Sequence, residues 1–239
     1  MNRVQESKGK CSLCGSTFPK AGMTNHLKAC MRRAFAPMTP SYERKTKQRD
    51  KKAFHLIVEG SYLPEYWMHL TVPANATLEE LDDFLRETWV ECCGHLSAFT
   101  INDTLYERDT GGVDAMWTWI FGGPKPRSMK IRTATVLRPG LKFDYEYDYG
   151  TTTDLRLRVV SAHEADLKDR AIQILARNDP PRITCEVCGK TATQVCSQCI
   201  WAGKGWLCDK CAKKHECGED MCLPVVNSPR VGMCGYMGE

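Results

Sequence analysis

The chain has 239 residues, 42% of them hydrophobic and 26% charged, which is the composition of one or two globular domains and excludes a disordered polymer. No stretch reaches the ~18 consecutive apolar residues of a membrane span, and the opening MNRVQESKGKC lacks a signal-peptide core, so a cytoplasmic protein without a membrane partner is expected. The net charge of +4 is segregated: residues 1–52 carry thirteen Lys/Arg against three Asp/Glu, residues 53–160 ten against sixteen, and residues 161–239 ten of each. A polyanion would meet the N-terminus first.

Cysteine is over-represented, with fourteen in the chain and nine of them in the last 55 residues. In a reducing compartment, Cys-x2-Cys pairs read as metal knuckles rather than disulfides. The first set is Cys11, Cys14, His26 and Cys30. Its spacing is close to that of a small ββα finger, with Phe18 and Met23 in the apolar positions and a helix over residues 25–33. His26 and Cys30, four residues apart, share one helical face. Residues 1–33 are too few to build a core unaided, so their folding is expected to depend on zinc. The segment CSLCGSTFPKAGMTNHLKAC resembles the ubiquitin-binding zinc fingers of DNA-repair ubiquitin ligases, through Asn25, His26, Leu27 and Cys30. That family contacts its partner with an acidic residue where this chain has Lys28.

A basic linker over residues 34–52 follows, in which Pro37 and Pro40 stop the finger helix. Lys28, Arg32, Arg33, Arg44, Lys45, Lys47, Arg49, Lys51 and Lys52 are the candidate nucleic-acid contacts. A finger beside a basic tail collects phosphate contacts whose strength falls with salt. A solvated linker is the alternative reading of the same charges.

Residues 53–180 read as an α+β domain, with a mixed or antiparallel sheet, one main helix and small zinc modules on either side. Residues 54–59 and 66–72 make two strands, and Thr77 with Glu80 forms a capping box before the helix LEELDDFLRETWVE. Leu78, Leu81, Phe84, Leu85 and Trp89 form its buried stripe. With the strand in residues 95–102, this suggests a β-grasp-like opening. Cys92 and Cys93 read as packing residues, and His95 as a helix-end cap. In the hairpin of residues 141–160, Phe143, Tyr145, Tyr147 and Tyr149 share one face. Setting Tyr147 opposite Leu155 and Tyr145 opposite Leu157 also sets Glu146 against Arg156 and Asp144 against Arg158. The loop of residues 108–127, with Trp117 and Trp119, is long and aromatic.

The motifs WMHLTVPANATLEELDDFLRETW, HLSAF and YEYDYG, in that order, resemble the plasmid ORF-three-like family first noted on Ri plasmids. ARNDPP, the C-terminal knuckles and LPVVNSPRVGMCGY resemble its zinc-bearing branch. The resemblance implies an α+β domain with mobile-element associations. Many members carry an Asp, a Trp and a His after the YDFG motif, where this chain has Thr151, Thr153 and Leu155.

Residues 181–239 hold Cys185, Cys188, Cys196, Cys199, Cys208, Cys211, His215, Cys217, Cys222 and Cys234. This order resembles the two-zinc cross-braced modules of the MYND and HIT type. The resemblance implies one ion on Cys185, Cys188, Cys208 and Cys211, and a second on Cys196, Cys199, His215 and Cys217. Cys222 and Cys234 remain alternatives for the last ligand. Three zinc ions are expected, each with a full protein ligand set, and a catalytic zinc needs an open position instead. The expectation is a non-enzymatic zinc protein associated with DNA or RNA, and the alternative is an adaptor that binds protein partners.

Overall fold

The computed structural model describes residues 7–35, 52–109, 125–165 and 171–238. Its centre is a ten-stranded sheet in the order β2-β1-β10-β4-β3-β9-β8-β5-β6-β7. The strands are β1 (Lys8–Cys11), β2 (Thr17–Pro19), β3 (Lys52–Gly60), β4 (Trp67–Pro73), β5 (Ser97–Ile101), β6 (Thr104–Glu107), β7 (Arg127–Ser128), β8 (Lys142–Tyr147), β9 (Thr153–Glu164) and β10 (Gln173–Asn178). All neighbours run antiparallel except β6 and β7. A smaller sheet joins β11 (Gln194–Cys196), β12 (Trp206–Leu207) and β13 (Cys222–Pro224) in the order β12-β11-β13. The architecture is mixed α and β but mostly sheet, and the longest helix among the described residues is α1 (Lys20–Ala34), not one in the middle of the chain.

The expected middle helix is α2 (Leu78–Leu85), which passes into a π turn at Arg86–Val90. Its capping box forms as the sequence predicts. The Thr77 hydroxyl accepts from the Glu80 N–H at 3.1 Å, and the Glu80 carboxylate accepts from the Thr77 N–H at 2.6 Å. Leu78, Leu81, Leu85 and Trp89 are buried against Leu56, Val58, Met68, Leu70, Tyr145 and Leu157 on one face of the sheet. The strand that follows does not return beside β3 and β4, as a β-grasp opening requires. β5 pairs with β8 instead.

The β8–β9 hairpin keeps the predicted faces but not the predicted register. Tyr145 lies opposite Leu155, Asp144 opposite Arg156, and Glu146 opposite Asp154. The cause is Asp148, which leaves the strand at φ +66° and accepts from the N–H groups of Gly150 and Thr151 at 3.1 and 3.2 Å. This turn ends β8 early and shifts the pairing by two residues, so side chains stay on their faces while their partners change. Burial and the facing carboxylate push the Glu146 acid up. Tyr149, expected in the buried aromatic row, is half exposed and donates to Glu107 at 2.6 Å.

The second face of the sheet is covered at one end by α1. β1 pairs with β10 in the register Gly9–Asn178, Lys10–Arg177 and Cys11–Ala176, so the N-terminal hairpin extends the main sheet. Met23, Leu27 and Met31 of α1 pack with Trp67 and Leu175. Each such buried side chain contributes roughly 1.5–3 kcal/mol. Gly9 permits this approach: a Cβ there would lie 2.3 Å from the Arg177 carbonyl oxygen and 2.6 Å from the Trp67 ring. Coverage on both faces explains why β4 is buried along its whole length. Beneath α1, His55 Nε2 and His69 Nδ1 are 2.8 Å apart, and His163 Nε2 lies 3.2 Å from Thr71 Oγ1. Burial drives all three imidazoles down, His55 and His163 to about 4 and His69 to about 3, so they are neutral at pH 7.

Candidate metal centres

Among the described residues, four groups of Cys and His have their ligand atoms within 4.8 Å of one another, and each could hold a metal ion. A tetrahedral ion with Zn–S bonds of ~2.3 Å sets sulfur–sulfur edges of ~3.8 Å and sulfur–nitrogen edges of ~3.5 Å.

In the first, β1 supplies Cys11, the turn after it Cys14, and one face of α1 His26 and Cys30. Cys11 Sγ and Cys30 Sγ are 4.0 Å apart, and Cys14 Sγ and His26 Nε2 are 3.3 Å apart. The knuckle closes on Gly15, whose φ is +75° and whose N–H donates to the Cys11 carbonyl at 2.8 Å. Hydrogen bonds from Ser16 draw the Cys14 thiol down to about 6, while burial pushes Cys11 up to about 11.

The C-terminal residues gather in the cross-braced pattern: Cys185, Cys188, Cys208 and Cys211 in one group, Cys196, Cys199, His215 and Cys217 in the other. Cys188 Sγ and Cys208 Sγ are 3.6 Å apart. Cys199 Sγ lies 3.3 Å from His215 Nε2 and 3.6 Å from Cys217 Sγ. A short helix, α4 (Asp209–Ala212), follows α3 (Thr133–Val136) in the chain, and Cys211 lies on it. Gly205, at φ +96°, sits so close that a Cβ would meet Cys199 Cβ at 2.8 Å. Burial pushes the Cys185 thiol up, but backbone hydrogen bonds from Cys208, Cys188 and Val187 outweigh it and bring it to about 6. Burial pushes Cys211 up to about 12, and its thiol neighbours add to the rise. The same division separates Cys196, at about 7, from Cys199, which its contact with Cys217 pushes up to about 12. Thiols packed this closely cannot all ionise without a compensating charge, and a dication at the centre would supply it.

Cys217 therefore sits with Cys199, and neither Cys222 nor Cys234 does. Cys222 Sγ is 3.8 Å from the Gly218 carbonyl. Cys234 joins Cys92, Cys93 and His95 in a fourth group that sequence spacing did not indicate. The visible signals were the Cys-Gly step at Cys234 and the tight Cys92-Cys93-Gly94-His95 run. Sequence reasoning also missed Arg230, which is fully buried. Its guanidinium donates to Asp148 Oδ2 at 2.7 Å, Thr153 Oγ1 at 2.9 Å and the Thr151 carbonyl at 3.1 Å, and lies 4.7 Å from the Tyr147 ring centroid.

Among the candidate nucleic-acid contacts, Lys28, Arg32 and Arg33 are exposed on α1 and Lys52 is exposed at the start of β3. Arg44, Lys45, Lys47, Arg49 and Lys51 lie outside the described residues, as do Trp117 and Trp119. A groove of about 650 Å³ runs between α1 and the sheet, floored by Trp67 and His69 and edged by Lys20, Lys142, Arg156 and Arg158. Lys20 is held there by Glu59 at 2.6 Å. No helix among the described residues is long and apolar enough to cross a membrane.

No family model matches the sequence, and no curated protein matches it. Among solved structures, the chain is similar to a protein of unknown function from Methanosarcina mazei Go1. The identity is 17% and the TM-score 0.43, over 53% of this chain and 69% of that one.

Proposed function

We propose that this is a non-enzymatic zinc-binding protein that associates with nucleic acid, a binding or regulatory factor linked to mobile elements. Zinc occupies the clusters around Cys11, Cys185 and Cys196, where it cross-links elements too small to hold a core of their own. Cys and His donors in fours suit zinc and leave no open position for substrate. The mobile-element link rests on the resemblance to the ORF-three-like family.

One observation carries the nucleic-acid reading: the exposed Lys28, Arg32 and Arg33 of α1 stand on the helix that borders a groove edged by Lys20, Lys142, Arg156 and Arg158. Cations on a rigid metal-bound helix and on an adjoining sheet are suited to phosphates along one strand. A protein-interaction adaptor is the second reading. It is favoured by Trp201, which is 64% exposed on the C-terminal turn Cys199–Ala202.

The test is fluorescence anisotropy of labelled single-stranded DNA, duplex DNA and RNA across a salt series. It compares the zinc-loaded full chain with its Lys28→Ala/Arg32→Ala/Arg33→Ala variant. Salt-sensitive binding is expected, with the log–log salt slope shallower in the variant by about 2–3. Absence of binding at low salt would overturn the reading and turn attention to protein partners, with Trp201→Ala as the diagnostic variant.

A further inference from the structure

We propose that Cys92, Cys93, His95 and Cys234 form a fourth metal site, built for a thiophilic divalent ion of the zinc class, which ties the C-terminal segment to the central sheet. Three donors come from the turn that leaves α2 and its π turn, and the fourth from a residue 139 positions away, with His95 Nε2 3.3 Å from Cys234 Sγ. All four ligand atoms fall within the span that defines the other three clusters. Three thiols and an imidazole are the same donor set as at two of those clusters, and soft donors of this kind select zinc over magnesium or calcium.

The surroundings are organised for the site. The Tyr147 hydroxyl accepts from the N–H groups of Cys92 and His95, each at 3.3 Å, and donates to Glu91 Oε1 at 2.9 Å. The Glu91 carboxylate also accepts from the Gly94 N–H at 2.6 Å. The turn is thus clamped in the shape that brings its three donors to one side. The buried Arg230 guanidinium, paired with Asp148, places Nη2 3.2 Å from Cys92 Sγ and so holds that sulfur from the inner side of the site. Asp148 Oδ2 is 3.6 Å from His95 Nε2. On the other side, Cys234 has φ +44°, a left-handed conformation that a non-glycine residue adopts at a cost, and this conformation directs its sulfur to His95. Cys93 and Cys234 are exposed, so the ion would exchange with solution from that side.

The inference rests on the zinc reading above, and one measurement separates the two. Metal content of the full chain, purified under reductant and assayed by inductively coupled plasma mass spectrometry, is expected to be four zinc ions per chain. Cys234→Ser and His95→Ala are each expected to hold three, and Cys222→Ser four. Three in the unaltered chain, unchanged by Cys234→Ser, overturns the fourth site and leaves the other three intact. None at all overturns both. If the variants do not fold, alkylation of the unaltered protein decides. Cys93 and Cys234 should be protected when metal-loaded and react once a chelator is added, whereas Cys222 reacts in both states. Cys93 and Cys234 alkylated equally in the metal-loaded and chelated protein would overturn the site.

Discussion

Replacing Arg230 with Met keeps an unbranched side chain in the space but removes the buried guanidinium and its bonds to Asp148, Thr151 and Thr153. Breaking one side of a buried ion pair costs about 3–5 kcal/mol. Asp148 keeps the N–H groups of Gly150 and Thr151, so the lower end applies, about 3 kcal/mol. For a chain of this size that corresponds to a fall in Tm of about 6–12 °C. The assay is urea unfolding with zinc present, on Arg230→Met, Asp148→Asn and the double variant. The double variant should lose clearly less than the two single losses combined, because each single change strands the other partner. Acid titration adds a second readout. Burial alone would raise the Asp148 carboxyl, but Arg230 and the N–H groups of Thr151 and Gly150 hold it below the usual carboxylate range. A depressed folded value gives stability that is complete above the unfolded pKa, near 3.9, and is lost as pH falls through the folded value. In Arg230→Met the folded value rises toward the unfolded one, so that acid limb should shrink. A loss under about 1 kcal/mol, or strict additivity in the double variant, would refute the reasoning.

Metal removal by a strong chelator should abolish the near-UV signal of the C-terminal module and expose the α1 region to protease, and zinc should restore both; retention of both signals after complete removal would show that zinc is dispensable for folding. The neutral His55 and His69 should make the protein acid-sensitive well above the carboxylate range. Their folded values of about 4 and 3 lie below the unfolded 6.5, so stability is full above pH 6.5 and is lost between there and pH 3 at up to ~1.4 kcal/mol per pH unit for each imidazole. A His55→Leu/His69→Leu variant should flatten that slope, and an unchanged slope would mean that other groups set it. Gly9→Ala should push β1 off Trp67 and cost about 1–3 kcal/mol, read as hydrogen exchange in β1 and β10 well before global unfolding.

What could be read from the sequence was local. Pairs such as Cys11 and Cys14, or Cys185 and Cys188, announce themselves because a knuckle needs two thiols three residues apart, and Thr77 with Glu80 forms its box within one helical turn. The faces of β8 and β9 were legible because alternation alone decides them. Their register was not, because it depends on which way the Asp148 side chain turns. The gathering of Cys92, Cys93 and His95 with Cys234, and the burial of Arg230 beside Asp148, depend on the path of the chain across 139 and 82 residues. No spacing rule spans those distances. The N-terminal hairpin read as a separate module because a finger is self-sufficient in pattern, and the backbone of β10, which accepts it, carries no side-chain label for the partner it will take.

The seating of that hairpin has a consequence for protein quality in the cell. Among the described residues the ten-stranded sheet ends at β2, three residues long, and at β7, two residues long, so neither of these borders offers a long template for another chain. The border next to β2 exists only while β1 and β2 stay folded. If they come away, β10 presents six residues, QILARN, with unsatisfied backbone groups along a sheet of eight strands that is otherwise complete. If the cluster around Cys11 holds zinc as proposed, loss of the ion would free that edge and favour self-association through strand addition between two copies.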